Sequence, residues 1–258
     1  MTDKGNITEL SDLAAALQRH GMLIRGGFAL TEDDEQGLVG FPDLESATRG
    51  RTLVLVGNAG PALYEAFFTA AETTGKTAGD NPLDDWTRRI VMPIAVRFGA
   101  RVAFPSDGPP WSPFQRWAMR AEGVKASPLG VLIHPDFGLW HAYRAALVFD
   151  RVLDLRPTPF RAHPCDTCVA RPCLSTCPVG AITDQGYAVD NCAGHVGSRA
   201  GQACRSIGCL ARRACPVGAD QRYPDRAMAF HMAAFLRGRG IAISHLEGSA
   251  SVLNTMIR

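Results

Sequence analysis

The chain has 258 residues, of which 46% are hydrophobic, and a formal net charge of +2, which predicts a soluble globular protein of one or two domains. Its apolar stretches are too short to cross a membrane, and its first residues lack the apolar core of a secretory signal, so we expect a cytoplasmic protein. The charge is uneven. The first 150 residues carry a net charge of −4, whereas the rest carry +6, with 13 arginines and no lysine.

Apolar periodicity predicts helices and strands over the first part of the chain. The predicted helices span residues 11–20, 61–75 and 81–98, with a further helix entered near Trp117. The predicted strands are β-rich runs at residues 22–31, 51–57, 101–104 and 130–133. Residues 140–149 suit a helix or a strand. Because the composition changes near residue 155, we predict two domains, 1–154 and 155–258.

All eight cysteines lie in the second part, in two sets that each end in Cys-Pro-Val-Gly-Ala. The sets read Cys165-x2-Cys168-x4-Cys173-x3-Cys177 and Cys192-x11-Cys204-x4-Cys209-x5-Cys215. Four thiolates suit one cubane cluster, so the sets predict two 4Fe–4S clusters. In two-cluster ferredoxins the Pro-followed cysteine binds the other cluster. Applied here, that pattern predicts one ligand quartet of Cys165, Cys168, Cys173 and Cys215, and a second of Cys177, Cys192, Cys204 and Cys209.

Other uses of cysteine compete with this interpretation. Disulfides need an oxidising compartment, which the sequence does not indicate. Structural zinc sites usually pair two Cys-x2-Cys knuckles, and only Cys165 and Cys168 form one here. Arginines within the cysteine region, such as Arg171, Arg205 and Arg212, can offset the negative charge of a cluster. A basic face for tRNA stays open as an alternative role for these arginines.

The chain beyond the last cysteine predicts one more helix, which begins at Asp225. Apolar side chains recur at helical spacing on one of its faces, at Met228, Met232 and Phe235. Methionine adapts to irregular surfaces. We therefore expect this face to pack over a cluster.

The segment Gly130-Val-Leu-Ile-His-Pro-Asp-Phe-Gly-Leu-Trp-His-Ala-Tyr-Arg144 resembles the signature of the CblC family of cobalamin-processing proteins. Upstream, residues 53–64 resemble the family's strand–turn–helix, and residues 81–86 resemble one of its helix starts. The resemblance covers residues 50–150 and implies a flavin-reductase-like α+β fold that binds cobalamin. Epoxyqueuosine reductases and reductive dehalogenases join a related corrinoid domain to a two-cluster ferredoxin domain, and the whole chain resembles that arrangement.

The resemblance implies five cofactor-binding residues. His134 is expected to face the cobalt or to hydrogen-bond the corrin, with a structural cap of its loop as the alternative. Arg144 is expected to clamp a corrin amide, a phosphate or an anionic cosubstrate, with an ordinary ion pair as the alternative. Leu139 departs from the family, which has a second glycine there to allow close packing of the corrinoid. No catalytic residue is assigned, and the other three cofactor-binding residues are Phe137, Gly138 and Trp140.

These patterns predict an iron–sulfur oxidoreductase in which two clusters pass electrons to a cobalamin, for reductive removal of a ligand or reduction of a substrate. Flavin is a second candidate cofactor. The expected partners are a corrinoid and a low-potential electron donor (a ferredoxin, a flavodoxin or a reductase), without a membrane. Two alternatives stay open: a ferredoxin-type electron-transfer protein without its own substrate, and a tRNA-modifying enzyme of the epoxyqueuosine reductase type.

Overall fold

The computed structural model describes residues 3–31, 34, 51–74, 80–155, 158–159, 161–183 and 185–242. These residues divide into two compact units. The first unit contains the described residues of 1–74, 78–124 and 141–161, and the second contains those of 125–140 and 162–258. The chain therefore leaves the first unit for residues 125–140 and returns to it for the strand that follows.

Both units contain helices and strands. Within the described residues the strands are β1 Leu23–Ala29, β2 Thr52–Ala59, β3 Ala100–Ala103, β4 Lys125–Ala126, β5 Leu132–Ile133, β6 His141–Phe149, β7 Ile182–Thr183 and β8 Gly186–Tyr187. The helices are α1 Asp3–Gln18, α2 Ala62–Thr74, α3 Pro82–Arg97, α4 Phe114–Glu122, α5 Pro172–Ser175, α6 Val189–Val196, α7 Gln202–Ile207, α8 Leu210–Ala214 and α9 Asp225–Gly238. The α+β class expected from the sequence is confirmed.

A four-stranded antiparallel sheet in the order β1-β2-β6-β3 forms the core of the first unit. β2 and β6 pair along their whole length, from Thr52 opposite Phe149 to Ala59 opposite His141. β2 is buried over all but its last residue, and residues 53–56 are 0% exposed. A strand covered on both faces reads as a continuous apolar run, which is the pattern that predicts this one.

Two predicted elements differ from the structure in extent, and the structure resolves one open alternative. α1 begins at Asp3 rather than at Ser11. Residues 140–149, which suit a helix or a strand, contain strand β6. The strand predicted at 130–133 is reduced to Leu132–Ile133. It is shorter because Gly130 closes a tight turn, in which its N–H donates to the carbonyl of Ser127 at 2.9 Å.

An ion pair between Arg25 and Glu122 is buried inside the first unit. The Arg25 side chain, 1% exposed, donates from Nε and Nη2 to the two carboxylate oxygens of Glu122, each at 2.9 Å. It also donates from Nη1 to the Asn58 carbonyl at 3.0 Å, and its Nη2 lies 3.3 Å from Nδ1 of His141. The Tyr143 hydroxyl donates to Glu122. The network thereby joins β1, β2, α4 and β6 through one buried cation.

The cysteine-rich part of the second unit contains loops, the paired short strands β7 and β8, and helices α5 to α8, which are each four to eight residues long. α9 is longer, with 14 residues, and packs on α6 and α7. Its Met232 and Phe235 pack against an apolar cluster made of Val196, Cys204 and Leu236. The apolar face predicted for this helix therefore covers the helices that carry two of the cysteines. None of the described helices is long and apolar enough to span a membrane.

Candidate metal centres and cofactor loop

Four thiols line one cavity of the second unit, and we call them the first quartet: Cys165, Cys168, Cys173 and Cys215. The empty volume of the cavity, open solvent included, is about 370 Å³. Cys173 lies in α5, and Cys215 directly follows α8. Much of the remaining lining is apolar and includes Leu129, Ile133, Leu139 and Val217. Ile133 and Leu139 form an apolar cluster with Cys215.

The other four thiols lie near one another and form the second quartet: Cys177, Cys192, Cys204 and Cys209. The thiols of Cys204 and Cys209 each interact electrostatically with those of Cys192 and Cys177. Burial, followed by the neighbouring thiols Cys192, Cys209 and Cys177, raises the pKa of the Tyr187 hydroxyl, which places Tyr187 beside these thiols. These contacts bring together residues of α6, α7 and the start of α8, with Cys177 from the loop after α5.

Each quartet takes three thiols from one cysteine set and the last thiol of the other set. This is the grouping that the crossed-ligand pattern predicts, while the bound metal stays a prediction. All eight cysteines are free thiols. Among the described residues, no three His, Cys, Asp or Glu side chains stand together as ligands of one metal ion. A cubane needs no such group, because each thiolate binds a different iron, whereas four zinc ligands share one ion at about 2.3 Å.

Three thiols of the first quartet have raised pKa values. Burial raises the pKa of Cys165 to about 11, and the neighbouring thiols Cys215, Cys173 and Cys168 add to the shift. Burial also raises the pKa values of Cys173 and Cys215. Ionising one thiol disfavours ionising the next, since the charges are alike and partly buried. A cationic iron core would remove that penalty by placing positive charge among the thiolates.

Backbone N–H groups point at sulfur atoms in both quartets. The N–H of Ala181 donates to Sγ of Cys177 at 3.3 Å. The backbone N–H of Val217 near the Cys215 thiol, and those of Ala211 and Arg212 near the Cys209 thiol, partly offset the rise that burial causes in the pKa values of these thiols. Such bonds favour the thiolate over the thiol. Together with the cavity among four thiols, they fit iron–sulfur clusters held by thiolate ligands.

Residues 134–138 form a closed loop in the second unit. The backbones of His134 and Gly138 exchange two hydrogen bonds of 2.9 Å. Nδ1 of His134 accepts the N–H groups of Asp136 and Phe137, at 3.0 and 3.3 Å, and the His134 ring stacks on Phe137 with centroids 4.4 Å apart. His134 thus caps its own loop. In the neutral ring, this leaves the proton on Nε2.

The loop rests, backbone against backbone, on the residues that follow Cys215-Pro216. Gly138 has a φ of +57°, and a Cβ built on it would lie 1.9 Å from the Val217 carbonyl oxygen. Gly218 has a φ of +63°, and a Cβ there would lie 2.4 Å from the carbonyl carbon of Phe137. No other residue type fits either position without displacing backbone. Gly218, the glycine of the second Cys-Pro-Val-Gly-Ala sequence, therefore packs directly against the backbone of the loop.

Trp140 is fully buried in the second unit rather than presented at a surface. The Arg212 guanidinium lies over the Trp140 ring at 4.5 Å and over the Tyr223 ring at 5.1 Å, and the two rings meet edge to face. Nη2 of Arg212 also donates to the Leu139 carbonyl at 2.5 Å. The sequence suggests a counter-charge role for Arg212, with a basic face for tRNA as the alternative. Its position between Cys209 and Cys215 is the signal that it also belongs to the site.

The predicted cofactor-binding residues are distributed over both units. His134, Phe137, Gly138 and Trp140 lie in the second unit, and Arg144 lies on β6 in the first. Nε of Arg144 donates to Oδ1 of Asn58 at 3.0 Å, and its Nη2 donates to the Tyr64 hydroxyl at 3.2 Å. Arg144 therefore hydrogen-bonds two neutral polar groups, and these bonds do not neutralise its positive charge.

No family model and no curated protein matches the sequence. Among solved structures, the chain is similar to the B12-trafficking protein CblC of C. elegans, with a TM-score of 0.51, 12% identity, and coverage of 91% of this chain and 97% of that one. An epoxyqueuosine reductase matches with a TM-score of 0.44, 13% identity, and coverage of 87% and 69%. The epoxyqueuosine reductase of Streptococcus thermophilus matches with a TM-score of 0.44, 12% identity, and coverage of 98% and 84%. The relation to CblC expected from residues 130–144 is thus supported at the level of the fold.

Proposed function

We propose that this chain is an iron–sulfur oxidoreductase whose two cysteine quartets bind two 4Fe–4S clusters and supply electrons to a cobalamin. The observation that carries the proposal is the grouping of eight free thiols into two quartets, each with backbone N–H donors at its sulfurs. Cubane clusters supply single electrons at low potential, which cobalt chemistry requires. The expected partner is therefore a low-potential donor such as a ferredoxin or a flavodoxin.

The residues around the first quartet would control access of water to the metal. Leu129, Ile133 and Leu139 cover one side of the cavity with apolar surface. Leu139, which replaces a glycine of the CblC signature, is 2% exposed and packs against Cys215. Its side chain would therefore form part of the apolar wall of the proposed metal site. Burial and hydrogen bonding of the sulfurs are the means by which a protein tunes the potential of such a cluster.

The cobalamin part of the proposal rests on the resemblance of residues 130–144 and on the fold shared with the CblC protein. Residues 134–138 would approach the corrin with backbone and with Phe137, and Arg144 would bind a corrin amide or phosphate. Trp140 would support this loop from inside, given its burial. Flavin is the other cofactor to be tested. We also keep the proposal that the chain has two domains, residues 1–154 and 155–258.

The metal is tested first, on protein prepared anaerobically. We expect about eight irons and eight sulfides per chain, with the absorbance of 4Fe–4S clusters. Cys168→Ala should remove about half of the iron by disrupting the first quartet alone. Zinc in place of iron, or a single cluster, would refute the proposal.

The cofactor is tested next, on the iron-loaded protein. Cobalamin and, separately, flavin are titrated and followed by absorbance, and Arg144→Ala is expected to weaken cobalamin binding. Dithionite-reduced protein should then reduce or dealkylate bound cobalamin, and Cys168→Ala should bind cobalamin without this turnover. Absence of binding at tens of micromolar would leave an electron-transfer protein without its own substrate. Binding of a tRNA stem-loop instead would favour the epoxyqueuosine type of reaction.

A further inference from the structure

We infer that Arg212 is a positioning residue that transmits the occupancy of the first quartet to the loop of residues 134–138. The inference rests on the proposed function, because it requires a cluster at the first quartet. It goes beyond that function, because it makes the conformation of the candidate cofactor loop depend on metal. All the contacts that carry it lie within the second unit.

The first link is the backbone contact between the loop and the metal-binding segment. The backbone of the loop is in direct contact with the backbone of Val217 and Gly218, since a single Cβ added at Gly138 would overlap the Val217 carbonyl. Val217 is two residues after Cys215 and packs against the apolar cluster that contains Cys215. Any shift of Cys215 on gaining or losing a metal therefore moves the surface on which the loop rests. Packed backbone of this kind is displaced rather than deformed.

The second link is the Arg212 side chain. Its backbone carbonyl accepts the N–H of Cys215 at 3.3 Å, so its main chain is tied to a residue of the first quartet. Its guanidinium reaches the Leu139 carbonyl and stacks on Trp140 and Tyr223. A planar guanidinium can donate and stack at once, which a lysine ammonium cannot do in the same way. Arg212 thus holds the residues directly after the loop onto the helix between two cysteine ligands.

The third link is the side chain of Leu139. It lies between these two contacts, packed with Ile133 and Cys215 beside the thiol cavity. The loop is therefore tied to the first quartet by its glycine, by its following leucine and by an arginine. With the metal removed, the crowded thiols have no cation to hold them together, and the three contacts lose their common support.

The experiment is hydrogen exchange of the full chain, measured by mass spectrometry on iron-loaded protein and on protein stripped with a chelator and an oxidant. Iron content is determined on the same samples. We expect the amides of His134 and Gly138 to exchange on the order of tenfold faster after stripping. The amides of β2, in the first unit, serve as the internal control and should not change. Loop amides that exchange at the same rate before and after stripping would overturn the inference.

Matched variants separate this coupling from general loss of structure. Cys173→Ser, in the first quartet, should release the loop, whereas Cys192→Ser, in the second, should leave it protected. Equal release in both variants would overturn the inference. If the wild-type protein holds no iron, the proposed function fails, whereas retained iron with an insensitive loop refutes only the coupling.

Arg212→Gln tests the positioning residue itself. This variant should keep the iron content and cluster absorbance of the wild type, yet show the loop exchange of stripped protein. Arg212→Lys, which keeps the charge without the planar group, should restore only part of the protection. Full loop protection in iron-loaded Arg212→Gln, or loss of its iron together with the loop, would overturn the assignment.

Discussion

Glu122 offers a direct test of what holds the first unit together. The change Glu122→Gln keeps the shape of the side chain but leaves the Arg25 guanidinium, 1% exposed, without its counter-charge. Removing one partner of a buried ion pair costs about 3–5 kcal/mol of unfolding free energy. The lower value applies here, because a glutamine oxygen still accepts one bond from Arg25 and the Asn58 carbonyl accepts another. We therefore expect a loss of about 3 kcal/mol.

The measurement is urea denaturation of the full chain, in which this loss lowers the transition midpoint by about 1 M or more. Glu9→Gln is the matched control. Glu9 also pairs with an arginine, Arg151, but the two side chains are 27% and 41% exposed. Exposed pairs contribute less than about 1 kcal/mol, so this variant should unfold close to the wild type.

A double variant separates charge from packing. Replacing both partners, Arg25→Met with Glu122→Leu, removes the uncompensated charge and should recover much of the lost stability. In the wild type, burial and then the Glu122 carboxylate raise the pKa of the Tyr143 phenol, which donates to Glu122. In the double variant this hydroxyl loses its acceptor, so the recovery should be incomplete. The reasoning is refuted if Glu122→Gln costs no more than Glu9→Gln.

Three further predictions concern titration, thiol reactivity and a buried hydroxyl. A hydrogen bond from Arg101 holds the pKa of Asp150 below its usual value, so its stabilisation is present above the unfolded pKa and lost as pH falls through the folded one. Asp150→Asn should therefore shrink the difference between unfolding midpoints measured at about pH 6 and pH 3; an unchanged difference would contradict this. In iron-free protein, iodoacetamide should label Cys165 slowly at neutral pH and faster as pH approaches its pKa of about 11, unlike a denatured control. The Thr52 hydroxyl donates to the Arg151 carbonyl and accepts the N–H of Leu153, both at 2.9 Å. Thr52→Val should therefore lower the unfolding free energy, measured by urea denaturation, by about 1–3 kcal/mol. A neutral effect would show that the two backbone groups find other partners.

Local patterns were sufficient for the parts of the fold that depend on local chemistry. The apolar run of β2 predicts a buried strand, and the structure buries β2 over all but its last residue. The spacing of the cysteines, read with the ferredoxin pattern, predicts the same two groups of thiols that the structure brings together. In both cases the residue types themselves, apolar side chains in β2 and thiols in the quartets, limit the environments that these residues can occupy.

Contacts between distant residues could not be predicted in this way. Arg25 and Glu122 are 97 positions apart, and neither stands in a pattern that points to the other. The segment from His134 to Arg144 reads as one motif, yet the chain passes from the second unit to the first between Trp140 and His141. Leu139 reads as a departure from the CblC signature, although it is a packing residue of the thiol cavity. Each of these facts depends on partners that only the folded chain supplies.

The exchange of the last cysteine between the two sets has a consequence for biosynthesis. A nascent chain that has emerged from the ribosome only as far as Ala203 exposes three thiols of the first quartet and two of the second. Neither group is complete until Cys215 and Cys209 have emerged, so the insertion of the proposed clusters would have to follow synthesis of nearly the whole cysteine region. Closing the first quartet also joins residues on either side of a long loop, which is slow and entropically costly compared with local folding. A nascent chain would therefore spend this interval with several unprotected thiols, and its yield in cells should depend on protection from oxygen during translation as much as on iron supply.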